Sequence, residues 1–196
     1  MEEKLALDKS ISKSDYIKGL QCSKALWFSN FRKDLKLPVD EKAQSLFDTG
    51  NEVNDLARKC FAEGKKAADG YFDIEKSVHL TKELINQGNQ IIFEATAIIE
   101  ADGSHARIDI LRKSEILGKW NLIEVKGSTS VKDYHIDDMS FQYHVFSKAG
   151  YDIDKRLLML VDNSYVLQGE IDPHKFFKFE TPIRDNPKIS LAIKKL

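Results

Sequence analysis

The chain has 196 residues, of which 42% are hydrophobic and 31% are charged, proportions typical of a soluble globular protein that buries a core. They exclude a disordered chain, and no apolar run approaches the roughly 18 residues that a membrane-spanning helix requires. The formal net charge of −1 is uninformative about nucleic-acid binding, because a carboxylate-rich metal site can offset lysines elsewhere. The acidic start, Met1 to Ser10, lacks a basic and apolar leader, so we expect a cytoplasmic protein.

The first part of the chain, about residues 11 to 88, is predicted to be helical. Ser12 to Asp15 form a variant of the capping box that begins helices. The predicted helices run from Ser12 through Tyr16, Leu20, Trp27 and Phe28, from Glu41 to Ala62, and from Ile74 to Asn86. The residues of the second helix expected to face the core are Ala43, Leu46, Phe47, Val53, Leu56, Ala57, Cys60 and Phe61.

The spacing of apolar residues changes after Gly88. The predicted strands of a meander are Ile91–Glu100, Ala106–Arg112 and Trp120–Lys126. A helix over Ile136–Lys148 follows, and Arg156–Val161 and Tyr165–Gly169 flank a hairpin turn at Asp162–Ser164. This order predicts an α/β or α+β fold: one domain over residues 1–196, with a mixed central sheet at about 90–170 and helices on its flanks.

Two of the predicted strands carry acidic residues inside apolar sequence. Strand alternation places Ile108 and Ile110 on one face and Asp109 on the other. In the next strand, Glu124 and Lys126 share the face opposite the neighbouring apolar residues. If the two strands pair as a hairpin, Asp109 and Glu124 face each other across the ladder.

Two like charges that face each other in an apolar strand need compensation. A Mg²⁺ or Mn²⁺ ion supplies it, because both ions prefer a few carboxylates together with water and substrate phosphate. Lys126 would then position the attacking water or stabilise charge on a pentavalent phosphate. The alternative is an ion pair on a solvated face of the sheet, which shows the same alternation.

The order Asp109, then Glu124-Val125-Lys126, resembles the signature of the PD-(D/E)XK nuclease superfamily, whose core is restriction-endonuclease-like. The segment Gln142–Phe146 is similar to the Gln-x-x-x-(Tyr/Phe) motif of its RecB-type branch, which includes CRISPR-associated exonucleases. Further similar segments are Ile11–Ser14, Leu20–Lys24 with Trp27, Gly50–Val53 and Asp162–Val166. The resemblance covers about residues 11 to 185 and extends to an uncharacterised bacterial family of RecB-like nuclease domains.

The resemblance implies a set of site residues. Asp109 and Glu124 would bind the metal with the Val125 carbonyl, Lys126 would be catalytic, and Gln142 would orient the substrate or the Lys126 region. The third carboxylate stays undecided between Glu94, in the preceding strand, and Glu52. Glu52 is considered because RecB-type enzymes often carry a metal-binding histidine on this helix, where the chain has Asn54.

The resemblance also implies DNA as the substrate, in repair, recombination or defence. Residues that would contact the nucleic acid are Tyr143, Lys132 and Lys24, with Lys13 and Lys18 as further lysines that could follow its backbone. Many relatives hold an iron–sulfur cluster on four cysteines, but no cysteine follows Cys60, so the chain cannot build one alone. The alternatives are a catalytically inactive nucleic-acid-binding or scaffolding module, and the N-terminal part of a longer protein or a partner-dependent one.

Overall fold

The computed structural model describes residues 10–67 and 73–181, and its centre is one six-stranded mixed sheet. The predicted α+β class is confirmed. The remaining residues of the predicted domain, 1–9, 68–72 and 182–196, lie outside the described part of the chain. None of the helices in the described residues combines the length and the hydropathy of a membrane-spanning segment.

The bounds of the elements follow chain order. The helices are α1 (Lys13–Gln21), α2 (Ser23–Phe31), α3 (Glu41–Arg58), α4 (Ile74–Asn86), α5 (Asp133–Lys148) and the single turn α6 (Pro173–Phe176), with a 3₁₀ turn at Lys33–Leu35. The strands are β1 (Lys65–Lys66), β2 (Ile91–Ile98), β3 (His105–Lys113), β4 (Trp120–Lys126), β5 (Ile153–Val161) and β6 (Phe177–Glu180). Neighbours in the sheet follow this numbering; β1–β2 and β4–β5 are parallel and the other pairs antiparallel.

The predicted first helix is two helices. Its capping box is confirmed: the Ser12 hydroxyl accepts the Asp15 N–H, and the Asp15 carboxylate accepts the Ser12 N–H. The helix then breaks at Cys22, whose backbone is extended at φ −165° and ψ 115°. Its predicted apolar face is also wrong in part, because Tyr16 is fully buried but Trp27 is 50% exposed. The break was not predicted because apolar residues keep a helical spacing on both sides of Cys22, and neither Gly nor Pro occupies that position.

Helix α3 begins where predicted, with the Asp40 carboxylate accepting the Ala43 N–H at 2.7 Å, and ends at Arg58 rather than Ala62. Only its second half packs on the sheet, through residues such as Val53 and Ala57. Leu46 and Phe47, predicted to face the core, are 67% and 57% exposed. The amphipathic spacing therefore predicted an apolar face correctly, but in the first half of the helix no other described residues bury this face.

Two hydrophobic clusters cover the two faces of the sheet, since alternate residues of β4 and β5 enter alternate clusters. On one face α1, α4 and α5 pack around Tyr16, Phe141 and Phe146. On the other, the C-terminal half of α3 packs with Phe93 and Phe177. The sheet is thus the middle layer of the fold, and the predicted helices on its flanks are confirmed.

The predicted C-terminal hairpin is wrong. Tyr165–Gly169 forms no strand; β5 pairs instead with β6, in the register Leu158 with Glu180 through Val161 with Phe177. The Asp162–Ser164 turn does form, with the Ser164 N–H donating to the Asp162 carboxylate. Smaller differences are at β2, which ends at Ile98 rather than Glu100, and α5, which begins at Asp133 rather than Ile136.

Candidate active site

Strands β3 and β4 separate at one point of the sheet. Their antiparallel ladder runs from the pair Lys113–Trp120 to the pair Ile110–Ile123. Asp109 and Glu124 are the next residues in that register, one step beyond the end of the ladder. Past this point the described part of β3 stays paired with β2 and that of β4 with β5, and the Ser12 backbone bridges His105 at the start of β3. We call this separation, with Asp109 and Glu124 at its apex, the strand fork.

Backbone groups released at the strand fork find side-chain partners. The Val125 N–H donates to Oδ2 of Asp109 at 2.8 Å, which replaces the carbonyl that a continued ladder would have supplied. The Arg107 carbonyl accepts Nε2 of Gln142 at 3.0 Å. Buried backbone polar groups are costly when unpaired, so Asp109 and Gln142 stabilise the separated strands.

Strict alternation, predicted for β3, fails at Asp109. Ile108 enters the cluster on one face of the sheet and Ile110 the cluster on the other, although two residues apart should share a face. Directly across the β2–β3 ladder is Glu94, whose φ of 55° lies in the left-handed region, uncommon for a residue with a side chain. The prediction that Ile108 and Ile110 point the same way is therefore wrong. The irregularity lies beside the candidate site.

Glu124 is 2% exposed, and its hydrogen-bond partners are polar side chains. Its Oε1 accepts Nζ of Lys13 at 2.8 Å and Nζ of Lys126 at 2.9 Å. Its Oε2 accepts Nε2 of Gln142 at 2.7 Å. The structure therefore brings three of the predicted site residues, Glu124, Lys126 and Gln142, into direct contact. Asp109 joins them through the backbone of Val125.

Two residues of this cluster were not predicted as members. Lys13 was considered only as a lysine that could follow a nucleic-acid backbone, yet its ammonium lies on Glu124. Asp138, on α5, accepts Nζ of Lys126 at 2.7 Å and lies 4.0 Å from Nζ of Lys13. Asp138 could have been suspected from the sequence, because it is an acidic residue directly before apolar residues of this helix. Lys13 gave none, because 111 residues separate it from Glu124.

The two carboxylates at the apex of the fork have opposite pKa shifts. Burial, reinforced by the charge of Glu124, raises the pKa of Asp109 from 3.8 to about 7. Burial alone would also raise the pKa of Glu124, but the ammonium groups of Lys13 and Lys126 outweigh it and hold that pKa at about 2. Among the described residues Asp109 forms no ion pair of its own, although the charge of Lys13 offsets part of the rise in its pKa.

The two lysines of the cluster keep their charge. Burial would lower the pKa of Lys126, but Glu124 and Asp138 outweigh it and raise that pKa well above its usual range. The same two carboxylates raise the pKa of Lys13 against its burial. Three carboxylates, including Asp109, therefore face two ammonium groups, and the cluster has an excess of negative charge when all are ionised.

The two candidates for a third carboxylate lie in different surroundings. Glu94 forms ion pairs with Arg58 and, at 3.9 Å, with Arg107. A carboxylate neutralised by two guanidinium groups is a weaker candidate for a metal ligand. Glu52 is exposed on α3. Neither contacts Asp109 or Glu124 by a hydrogen bond, although the charge of Glu94 contributes to the raised pKa of Asp109.

The remaining predicted residues lie around α5 and α2. Gln142 is fully buried and donates to Glu124. Tyr143 is 37% exposed, with the Arg156 guanidinium 4.7 Å from its ring centroid. Lys132 is the N-cap residue of α5. Lys24 is exposed on α2.

No group of three or more His, Cys, Asp or Glu side chains that could hold a metal ion is present in residues 10–67 and 73–181. The half-buried Asp109 and the buried Glu124 nevertheless offer hard carboxylate oxygens at the strand fork, and the Val125 carbonyl is an oxygen donor of the same class. By donor chemistry this pair fits Mg²⁺ or Mn²⁺ with water and substrate completing the shell, as expected for an ion that dehydrates reluctantly.

Comparisons with known proteins do not assign a family. No protein-family model matches the chain. It is similar to an uncharacterised protein, UU173, of Ureaplasma parvum serovar 3, at 35% identity over 82 residues, or 42% of this chain and 11% of that protein. The match thus spans about a tenth of the relative's length. The chain is also similar to a crystal structure of SSO0001, with a TM-score of 0.44 and 15% sequence identity. The superposition covers 95% of this chain and 74% of the SSO0001 chain.

Proposed function

We propose that the protein is a Mg²⁺- or Mn²⁺-dependent nuclease that hydrolyses DNA phosphodiester bonds at the strand fork. The observation that carries the proposal is the convergence of Asp109, Glu124 and Lys126, from two diverging strands, on one partly buried cluster. The resemblance of these residues and Gln142 to the PD-(D/E)XK signature supports it. A role in DNA repair, recombination or defence, and a cytoplasmic location, belong to the same proposal.

Asp109, Glu124 and the Val125 carbonyl would hold the metal. When bound, a divalent ion polarises the phosphodiester and lowers the pKa of a water molecule. Asp109 binds a cation only as the carboxylate, and its pKa of about 7 makes proton loss part of binding. Its N–H partner, Val125, keeps the carboxylate directed into the fork through Oδ2.

Lys126 acts as a fixed positive charge in this proposal. It is held between Glu124 at 2.9 Å and Asp138 at 2.7 Å, and its raised pKa keeps it protonated, so it is unsuited to accept a proton from water. A preorganised cation stabilises the charge that develops on a phosphate during attack. Gln142 is a positioning residue, because it orients Glu124 from a buried site that a substrate does not reach.

Cleavage of DNA tests the proposal directly. The purified chain is incubated with single- and double-stranded DNA in Mg²⁺, Mn²⁺ or EDTA, beside a Glu124→Ala variant and a Glu75→Ala control, since Glu75 is exposed on α4. We expect metal-dependent cleavage by wild type and the control, and none by Glu124→Ala. Absence of metal-dependent cleavage would contradict the enzyme, and cleavage by Glu124→Ala would contradict the site.

The second candidate is a nuclease-fold module that binds nucleic acid or supports a larger assembly without catalysis. The observation that favours it is the lack of a three-residue metal-holding group in the described part of the chain. This candidate predicts DNA binding that is unaffected by EDTA and by Glu124→Ala, without cleavage. Measurement of binding and cleavage on the same samples therefore separates the two.

A further inference from the structure

Lys13 lies on the carboxylate that is proposed to bind the metal. Its Nζ is 2.8 Å from Oε1 of Glu124, and the side chain is 28% exposed where that of Glu124 is 3% exposed. An ionised carboxylate buried this far from water is strongly disfavoured without a cation beside it. Lys13 is therefore part of what keeps Glu124 ionised in the protein without metal.

The backbone around Lys13 is fixed to the edge of β3. The Ser12 backbone bridges His105, the first residue of that strand, and the His105 N–H donates to the Ile11 carbonyl at 3.1 Å. The capping box of Ser12 then starts α1 at Lys13. The position of the ammonium is thus defined by tertiary structure rather than by a freely moving surface chain.

Two lysines share one oxygen of Glu124, and they are held unequally. Lys126 has a second close partner, Asp138 at 2.7 Å. Lys13 is 4.0 Å from the same Asp138 oxygen, beyond ordinary hydrogen-bond length. Of the two ammonium groups, that of Lys13 is the easier to displace, and its side chain has the more open route to solvent.

We propose that Lys13 is an intramolecular counter-cation of Glu124, which neutralises this carboxylate in the metal-free protein and is displaced when Glu124 binds a divalent cation. The inference rests on the proposed function and deepens it. A cationic ammonium and a divalent ion repel each other at one carboxylate oxygen, so Lys13 lowers the affinity for metal. In return it holds Glu124 charged and in place before metal binds.

A titration with Mn²⁺ alone tests the proposal. Free Mn²⁺ is measured by electron paramagnetic resonance in the presence of the whole metal-free chain as wild type, Lys13→Met, Lys13→Arg and Lys76→Met. Lys13→Met keeps the aliphatic stem and removes the charge, so we expect Mn²⁺ to bind ~10-fold or more tightly. Lys13→Arg keeps the charge and Lys76 is exposed on α4, so both should bind as wild type does.

Partial unfolding would separate the carboxylates of the fork, so a gain in Lys13→Met alone, in a variant that is folded by circular dichroism, supports the proposal. Equal or weaker binding in Lys13→Met overturns it; if this variant does not fold by circular dichroism, Lys13→Gln takes its place under the same criterion. Glu124→Gln distinguishes failure of the Lys13 proposal from failure of the proposed metal site. If wild type binds Mn²⁺ and Glu124→Gln does not, the metal site is supported even when the Lys13 variants have no effect. Absence of Mn²⁺ binding in all variants overturns both.

Discussion

Gln142 and Glu124 are joined by a hydrogen bond of 2.7 Å between α5 and the sheet. The same Gln142 nitrogen donates to the Arg107 carbonyl on β3 at 3.0 Å, while Glu124 lies on β4. One amide group thus connects the two strands just where their own hydrogen bonds end. Gln142 therefore links helix α5 to both strands of the fork.

Replacement of Gln142 by Leu should lower both stability and activity. The change removes the hydrogen bonds that Gln142 donates to the Arg107 carbonyl and to one oxygen of Glu124, which costs about 1 to 3 kcal/mol of unfolding free energy. Gln168→Leu is the matched control, since Gln168 is exposed and should change stability by less than about 0.5 kcal/mol. Urea unfolding of both variants measures the difference, and equal midpoints would contradict the bridging role.

The stability of the metal-free protein should depend on pH through Asp109. Its pKa rises from 3.8 to about 7 on folding, so the folded state binds the proton more tightly than the unfolded state. For an acid with a raised pKa, the unfolding free energy falls as pH rises from about 4 to about 7. Glu124 does not offset this fall, because its pKa of about 2 places its loss of stability at lower pH.

Asp109→Asn removes the charge that burial disfavours. We expect this variant in EDTA to be more stable than wild type by about 1 to 3 kcal/mol at pH 8, with little difference at pH 4. Thermal unfolding from pH 4 to pH 8 measures the two curves. Parallel curves would show that Asp109 does not titrate in this range, and the account of an uncompensated carboxylate would be wrong.

Loss of the Lys126 charge should abolish most of the proposed cleavage. Lys126→Met is expected to reduce the rate about 10² to 10³-fold, the range for removal of one preorganised group that stabilises transition-state charge. Lys119→Met is the control, because Lys119 also forms an ion pair, with Asp152 at 3.6 Å, but precedes β4 at its far end. Initial rates on labelled DNA decide the matter, and comparable rates in the two variants would remove Lys126 from the mechanism.

Tyr16 should tolerate loss of its hydroxyl. The side chain is fully buried and stacks on Phe141 with ring centroids 4.8 Å apart, and its oxygen has no hydrogen-bond partner in the described part of the chain. Tyr16→Phe is therefore expected to be neutral or to stabilise by up to about 1 kcal/mol. Tyr16→Ala should cost about 3 to 5 kcal/mol through the cavity that it leaves. A destabilised Tyr16→Phe in chemical denaturation would show that the hydroxyl is bonded.

Sequence patterns predicted those helices and strands whose apolar residues are also the ones that the fold buries. The apolar runs of β3 and β4 and the capping box at Ser12 were predicted close to their observed bounds. Asp109 and Glu124 were expected to face each other across the ladder. They occupy the next positions in its register, which a short hairpin connection fixes, but the ladder ends one pair before them.

Features that depend on tertiary contacts could not be predicted from local sequence patterns. The left-handed backbone at Glu94 and the switch of face between Ile108 and Ile110 arise from neighbouring strands, and no residue type marks them. Tyr165–Gly169 has strand-like composition, but β6 takes the place beside β5. Lys13 reaches Glu124 only because the start of α1 is joined to β3. Such long-range placement has no local signal.

The proposed metal site at the strand fork can be located in a Mn²⁺-soaked crystal of the chain. We expect anomalous density for Mn²⁺ between the carboxylates of Asp109 and Glu124, with the Lys13 ammonium displaced from Glu124 and the Lys126–Asp138 pair intact. Density of Mn²⁺ only at other acidic residues, or none in the fork at saturating Mn²⁺, would contradict a metal-dependent site at the strand fork.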